Sequence, residues 1–277
     1  MVASLVLCGR GSRVRTMTDL TYLSLGAGVQ SSALLVLANQ GKVERPSVAI
    51  FADTGDEPQY VYDYLDVLEA WSEIPIERVS AGRLSEAGTS FLRIPAFTDS
   101  DGVAAPIRRQ CTQEYKITPI RRRVRALLGL RPGQRAAGVV EATAMLGISL
   151  DEVQRCKPSR DAWITNEFPL IDLRLRRDDC RRLVVEAGLP EPKKSSCVFC
   201  PYHDDAYWIG MRKADPTSWM RAVEYDRAIR DSTRAGVTRP AYLHRSLLPL
   251  DEVEFKHEKQ ETLWDSFSGE CEGMCGV

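Results

Sequence analysis

Ser24-Leu25-Gly26-Ala27-Gly28-Val29-Gln30-Ser31-Ser32 joins a short apolar strand, expected over 21–25, directly to an apolar helix, expected over 33–38. A strand, a loop of small residues and a helix in that order form a common phosphate-binding device. Gly26 and Gly28 are expected to take backbone conformations closed to larger residues. Successive N–H groups would then face one concavity, to which the helix N-terminus adds partial positive charge. Ser24, Ser31 and Ser32 add hydroxyl donors. Taken alone, a Gly-x-Gly loop is equally an ordinary glycine turn capped by serine, so the rest of the chain has to decide.

Working outward, the first helix is expected to end at Gly41 in a left-handed cap. Ser47-Val48-Ala49-Ile50-Phe51-Ala52 is an uninterrupted apolar run of the kind a buried parallel strand shows, and it closes on Asp53-Thr54-Gly55-Asp56-Glu57. Helical spacing of Val61, Tyr64, Leu65 and Leu68 predicts a helix over 60–71, and a third strand follows over 74–79. The pattern β-α-β-α-β predicts an α/β fold: a doubly wound parallel sheet with helices on both faces, binding ligands at the carboxyl ends of its strands. Both the glycine loop and Asp53-Thr54-Gly55 fall at such ends. The second of these, alone, reads first as an Asx turn.

Residues 81–115 are rich in Gly, Ser, Pro and charge and are expected to be loops with a short helix. A helix follows over 116–130, with Pro119 in its first turn and Pro132-Gly133 as its stop. A strand is expected over 142–148, then a helix opening on Ser149-Leu150-Asp151-Glu152, and another helix over 177–187 capped at Gly188. Beyond Pro190 come the pair Cys197-Val198-Phe199-Cys200, mostly helical sequence over 204–234 and an irregular end containing Cys271 and Cys275. The expected organisation is an extension over 1–16 outside the fold, a nucleotide-binding unit over 17–190, and a mostly helical C-terminal portion over 191–277 carrying the cysteine ligands. No internal repeat or low-complexity tract is present.

The chain has 277 residues and is 44% hydrophobic, enough for one substantial core. A formal net charge of −1 excludes a globally basic nucleic-acid coat but hides a local cluster. Arg108, Arg109, Lys116, Arg121, Arg122, Arg123, Arg125 and Arg131 face the single acid Glu114, and read either as a solvated helix face or as contacts to an anionic ligand. No run approaches the roughly 18 to 20 apolar residues of a membrane span, and the start lacks a signal-peptide core, so no membrane is expected. Eight cysteines without export features favour a reducing, cytoplasmic setting in which thiols bind metal or do redox chemistry. Cys197-x-x-Cys200 suits zinc, an iron–sulfur cluster or a dithiol pair equally well. Cys156 and Cys180 read as buried inert thiols. His203 reads either as a hydrogen-bond partner of sulfur or as a cap of the next helix.

The loop 24–32, then Phe51-Ala52-Asp53-Thr54-Gly55, Cys111 with Lys116 and Pro119, Gly147-Ile148-Ser149-Leu150-Asp151-Glu152, and Ser195-Ser196-Cys197-Val198-Phe199-Cys200-Pro201 come in a telling order. Over roughly 20–203 the chain thereby resembles the phosphoadenosine phosphosulfate reductase-like proteins of the PP-loop, or adenine nucleotide α-hydrolase, superfamily. Relatives there include sulfonucleotide reductases, tRNA thiolation enzymes and the iron–sulfur ATP pyrophosphatases of DNA phosphorothioation.

The resemblance implies an adenine nucleotide-binding enzyme with ATP or a related adenosine nucleotide and Mg²⁺. Phosphate would be held by Ser24, Gly26, Gly28, Gln30, Ser31 and Ser32, and ribose or metal-bound phosphate approached by Asp53, Thr54 or Gly55. It further implies a [4Fe–4S] cluster, with structural zinc as the alternative, on Cys111, Cys197 and Cys200, the fourth ligand being Cys275 or Cys271 or none. Arg108, Arg109 and Lys116 would neutralise charge on the group in transfer. The ATP pyrophosphatase loop usually reads Ser-Gly-Gly-x-Asp-Ser, whereas Gly28-Val29-Gln30-Ser31 lacks that aspartate and looks closer to the reductase version; Asp151 and Glu152 are the carboxylates able to replace it for Mg²⁺.

Three readings follow. The first is an ATP pyrophosphatase that adenylates its substrate for sulfur transfer to nucleic acid, DNA before tRNA, with a sulfur donor such as a cysteine desulfurase and a possible homo-oligomeric assembly. The second is a sulfonucleotide reductase using a C-terminal cysteine, since Glu270-Cys271 weakly resembles the reductases' Glu-Cys-Gly tail. The third is a zinc-stapled nucleotide- or nucleic-acid-binding module without catalysis.

Overall fold

The computed structural model describes residues 19–88, 94–100, 102–106, 110–230 and 239–256. The expectations for residues 1–16, Arg108, Arg109, Cys271 and Cys275 lie outside these described residues.

The first strand, β1 (Asp19–Leu25), leads into α1 (Val29–Asn39), then β2 (Val48–Asp53), α2 (Gln59–Trp71) and β3 (Ile76–Ser80). Short α3 (Leu84–Gly88) precedes β4 (Phe97–Ser100) and β5 (Val103–Pro106). A π-helical turn at Thr112–Ile117 runs into α4 (Thr118–Leu127), followed by β6 (Glu141–Leu146), a 3₁₀ turn at Leu150–Arg155, and β7 (Ile164–Glu167). The remaining helices are α5 (Pro169–Asp172), α6 (Arg177–Glu186), α7 (Asp205–Ala214) and α8 (Pro216–Arg230), with the two-residue strand β8 (Ala241–Tyr242) after them.

Five strands pair in parallel in the order β3-β2-β1-β6-β7. Alternation along each strand decides which helix it meets. Leu23 and Leu25 of β1, Ala49 and Phe51 of β2 and Met145 of β6 pack with α1, α2 and α6 on one face. Tyr22, Ile50 and Ala144 point the other way, onto Ile120 and Val124 of α4. The doubly wound α/β sheet expected from the sequence is therefore the fold. Every residue from Val29 to Ala38 in α1 is buried, which accounts for a helix apolar on all sides, including Leu34-Leu35-Val36-Leu37. Because β6 lies beside β1 rather than beside β3, the strand order reverses between β1 and β6. In open α/β sheets that reversal opens a crevice at the carboxyl ends of the two strands.

A second core joins Leu84, Ile94, Ala96 and Tyr115 to Val198, Phe199, Trp208, Tyr225 and Leu243. Its sheet is antiparallel, in the order β5-β4-β8, with Phe97 opposite Tyr242. Residues 97–106, expected as loop, thus form a hairpin. Its turn is closed by the Gly102 N–H donating to Asp99 Oδ1 at 2.7 Å, with Gly102 at a φ of +84°. Four-residue strands partnered by β8, about 140 residues away in sequence, carry too little local periodicity to be read. β7 escaped the sequence reading for the same reason. The helix expected over 116–130 begins earlier, as the π-helical turn, and stops at Gly129, whose φ of +73° ends it before Pro132-Gly133 is reached. Gly41 and Gly188 take the left-handed caps expected of them.

Asp226 organises the second core. Fully buried on α8, it accepts the backbone N–H of Leu243 at 2.8 Å and of Leu250 at 3.0 Å. Asp226→Ala would leave both amides buried without partners. At about 1–3 kcal/mol for each orphaned donor, the unfolding free energy measured by urea titration is expected to fall by about 2–6 kcal/mol.

Candidate functional site

The loop after β1 sits at the strand-order reversal. Its one left-handed residue is Ala27, at a φ of +55°, while Gly28 is extended at −98°, 178°. The expectation that Gly26 and Gly28 take backbone conformations closed to larger residues is corrected: neither has a positive φ, the left-handed turn falls on Ala27, and Ser31 closes the loop. Ser31 Oγ accepts the Gly26 N–H and donates to the Gly28 carbonyl, both at 3.2 Å. No side chain caps α1, and its first turn has no acidic residue, so its leading N–H groups and partial positive charge face the crevice. Close approach is instead the role of Gly147, just past β6. A Cβ there would stand 2.8 Å from Ser31 N and Cα and 2.9 Å from the Gln30 carbonyl carbon.

Ser24 is buried at the end of β1, and Ser32 is fully buried beside Tyr64. Gln30 is held at both ends of its amide: Nε2 donates to Glu152 Oε2 at 3.2 Å, and Oε1 accepts from Arg177 Nη1 at 3.0 Å. Asp151 Oδ2 accepts the Arg177 backbone N–H at 2.6 Å, at the N-terminus of α6, and the Ser149 hydroxyl of its own turn at 3.5 Å. Glu152 pairs with Arg155 at 2.7 Å. Asp53 forms the Asx turn, accepting the Gly55 N–H at 2.7 Å and the Tyr62 hydroxyl at 2.8 Å. The structure thus brings Gly26, Gly28, Gln30, Ser31 and Asp151 together at the carboxyl ends of β1 and β6, with Ser24 near the end of β1, while Ser32 is turned to Tyr64 of α2.

Thr54 belongs to a second assembly. Cys111, Cys197 and Cys200 line one pocket together with Thr54, Thr112 and Lys116. Thr54 Oγ1 lies 3.2 Å from Cys197 Sγ and donates to Glu57 Oε1 at 3.3 Å. Glu57, 1% exposed, faces Lys116 Nζ at 3.9 Å. Burial raises the Glu57 carboxyl above the ordinary range, and burial with the nearby Glu57 charge raises the Cys197 thiol well above its own. Asp56, equally buried, receives Ser85 N–H at 2.7 Å, Ser85 Oγ at 3.0 Å and Arg221 Nη2 at 2.8 Å, while its carbonyl accepts the Val198 N–H at 2.9 Å. His203 neither caps a helix nor meets sulfur, since Asp204 is the cap of α7. Its Nε2 bonds the Cys197 carbonyl at 2.9 Å, and burial and then Lys194 hold it well below the usual imidazole range.

The cysteine set is right in kind for a thiolate-bound metal centre. Glu57 Oε2, Thr112 Oγ1 and the Tyr225 hydroxyl, all buried around this pocket, have no hydrogen-bond partner among the described residues, as groups awaiting a bound species do. The arrangement is not a formed metal site: Cys197 Sγ is turned to Thr54, and no group of three or more His, Cys, Asp and Glu side chains among the described residues is disposed to hold a metal ion. Cys180 is fully buried on α6, where burial pushes its thiol up to about 12, and Cys156 is half-buried.

The basic cluster is largely spent on the fold. On α4, Arg123 forms a bidentate pair with Glu77 of β3, Arg121 pairs with Asp161, and Arg125 binds the Gln134 carbonyl. Arg122 and Arg131 remain exposed, and Lys116 faces Glu57. The sequence reading missed Asp56, Glu57 and Arg221. Two of them carried a signal, as acids just beyond the carboxyl end of an apolar strand; Arg221 carried none.

No protein-family model matches this sequence, and no curated protein matches it. A solved structure is similar in shape, that of a phosphoadenylyl-sulfate (PAPS) reductase from Candida auris in complex with phosphate. It shares 13% identity over 65% of this chain and 77% of that one, at a TM-score of 0.40. No described helix is long and apolar enough to cross a membrane.

Gly147→Ala tests the crevice. The added methyl would push on the backbone at Gln30 and Ser31, which costs about 1–3 kcal/mol where neither side can yield. A lower melting temperature by scanning calorimetry is expected.

Proposed function

We propose that this protein is a PP-loop enzyme of sulfur transfer: an ATP pyrophosphatase that adenylates a nucleic-acid substrate, DNA before tRNA, for replacement of oxygen by sulfur. The observation that carries the reading is the contact of Thr54 Oγ1 with Cys197 Sγ at 3.2 Å. It joins the strand end beside the nucleotide crevice to the pocket of three thiols, so that one active centre can serve both nucleotide and sulfur.

In this reading a substrate oxygen attacks the α-phosphorus of ATP, a new P–O bond forms, and pyrophosphate leaves. A sulfur nucleophile, supplied by a donor such as a cysteine desulfurase, then displaces AMP together with that oxygen. Amides of the loop 26–31 and the N-terminus of α1 hold phosphate, with Ser24 and Ser31 fixing the loop around it. Lys116, with Arg108 and Arg109, neutralises charge as the bond to phosphorus breaks. Asp151 is the proposed carboxylate for Mg²⁺. Cys111, Cys197 and Cys200, with Cys275, would hold a [4Fe–4S] cluster, which when bound offers an iron able to hold sulfur.

One observation favours the second reading, a sulfonucleotide reductase. Asp53, Asp151 and Glu152, the carboxylates flanking the crevice, are each engaged within the protein, and thiolate attack at sulfur does not depend on a carboxylate-bound cation. The two separate on products. Anaerobically prepared protein is expected to release pyrophosphate from ATP in the presence of DNA and to yield an AMP-linked intermediate; release of sulfite from a sulfonucleotide with a thiol, and no pyrophosphate, replaces the first reading by the second. Iron analysis supplies a separate check. Cys111→Ser and Cys197→Ser are expected to abolish bound iron and brown colour while Cys156→Ser retains both, whereas colourless protein containing zinc and showing no turnover would leave only a binding module.

A further inference from the structure

We propose that Lys193 and Lys194, seated over two tyrosine rings beside the Cys197 turn, form the surface on which the phosphodiester backbone of the nucleic-acid substrate docks. The proposal rests on the reading above, in which that substrate is a nucleic acid, and assigns it a place.

Lys193 Nζ stands 5.2 Å above the Tyr60 ring and Lys194 Nζ 5.6 Å above the Tyr207 ring. The rings are fixed by their own hydroxyls. Tyr60 donates to the Lys194 carbonyl at 2.8 Å, and the two hydroxyls meet at 2.7 Å. Below them, Tyr207 stacks on His203 at 3.8 Å and 15°, and His203 holds the Cys197 carbonyl. The lysines are therefore the outer layer of a rigid stack whose inner layer is the wall of the thiol pocket.

A ring face orients an ammonium but satisfies none of its N–H donors fully, so both lysines keep donors and charge for an anion. Neither forms an ion pair among the described residues. The nearby acids are occupied elsewhere, Glu191 with Arg181 and Asp215 with Ser218. On α4, by contrast, Arg121 and Arg123 are paired with Asp161 and Glu77. Positive charge without an ion-pair partner thus stands beside the cysteine turn on the 193–194 segment, whereas Arg121 and Arg123 of the conspicuous arginine run are spent on the fold. Consecutive lysines on an extended segment suit a chain of phosphates, which attract point charges without reading sequence.

The test is fluorescence anisotropy of a labelled duplex DNA across a salt series, with the wild-type protein, Lys193→Gln/Lys194→Gln, Lys193→Arg/Lys194→Arg, and Arg122→Ala. The glutamine pair is expected to weaken binding and to reduce the slope of log K against log salt by about 2, near 1 for each lost phosphate contact. The arginine pair retains affinity, and Arg122→Ala matches wild type. Wild-type binding that is indifferent to the glutamine pair, or that is lost with Arg122, overturns the docking surface while leaving the nucleic-acid reading intact. Absence of DNA binding by the wild-type protein overturns both.

Discussion

The site depends on the four residues that leave β2, Thr54 to Glu57. Asp56 places a carboxylate with 2% side-chain exposure against Arg221 of α8 and accepts two hydrogen bonds from Ser85, while its own carbonyl fixes Val198 in the cysteine turn. An isolated charge so deeply buried would be prohibitive; an ion pair completed by the two hydrogen bonds from Ser85 can offset the desolvation, and losing one partner typically costs about 3–5 kcal/mol. Steep dependence on having every partner in place is what makes the loop a rigid joint. The parallel sheet delivers the loop to the carboxyl edge, and the second core is assembled against it.

The carboxyl edge of the sheet carries residues of two chemical characters. The β1–β6 crevice offers backbone donors, a helix N-terminus and a network through Gln30, Arg177, Asp151 and Glu152 that ties three chain segments together. The thiol pocket offers sulfur, a lysine and buried hydroxyls that have no partner among the described residues. Thr54 touches sulfur, while Asp53, one residue earlier, ends the sheet. Rearrangement of the 54–57 loop would be felt in the thiol pocket, because its hydrogen bonds reach Cys197 and Val198 of the cysteine turn.

The local patterns were legible where they came from unbroken hydrophobic periodicity. The runs at 21–25, 33–38 and 47–52 identify β1, α1 and β2 to within a few residues, and with them the doubly wound sheet. Apposition across the chain was not legible. Arg221 reaches Asp56 over 165 residues and β8 pairs with β4 across the whole C-terminal half, and neither leaves a trace in local composition. Glycine was misread in an instructive way. The sequence placed the conformational demand on Gly26 and Gly28, but Ala27 carries the left-handed turn, and the glycine that admits a close backbone neighbour is Gly147. Likewise the arginines of α4 look like a ligand surface in sequence, whereas Arg121 and Arg123 clamp the helix to the fold through Asp161 and Glu77.

That nucleotide and sulfur share one centre is tested most directly by anomalous-difference crystallography on anaerobically grown crystals soaked with an adenosine nucleotide. The account predicts an iron signal among Cys111, Cys197 and Cys200, with the nucleotide phosphates on the amides of the loop 26–31, on either side of Thr54. Iron bound elsewhere, or a nucleotide seated away from that loop, would contradict it.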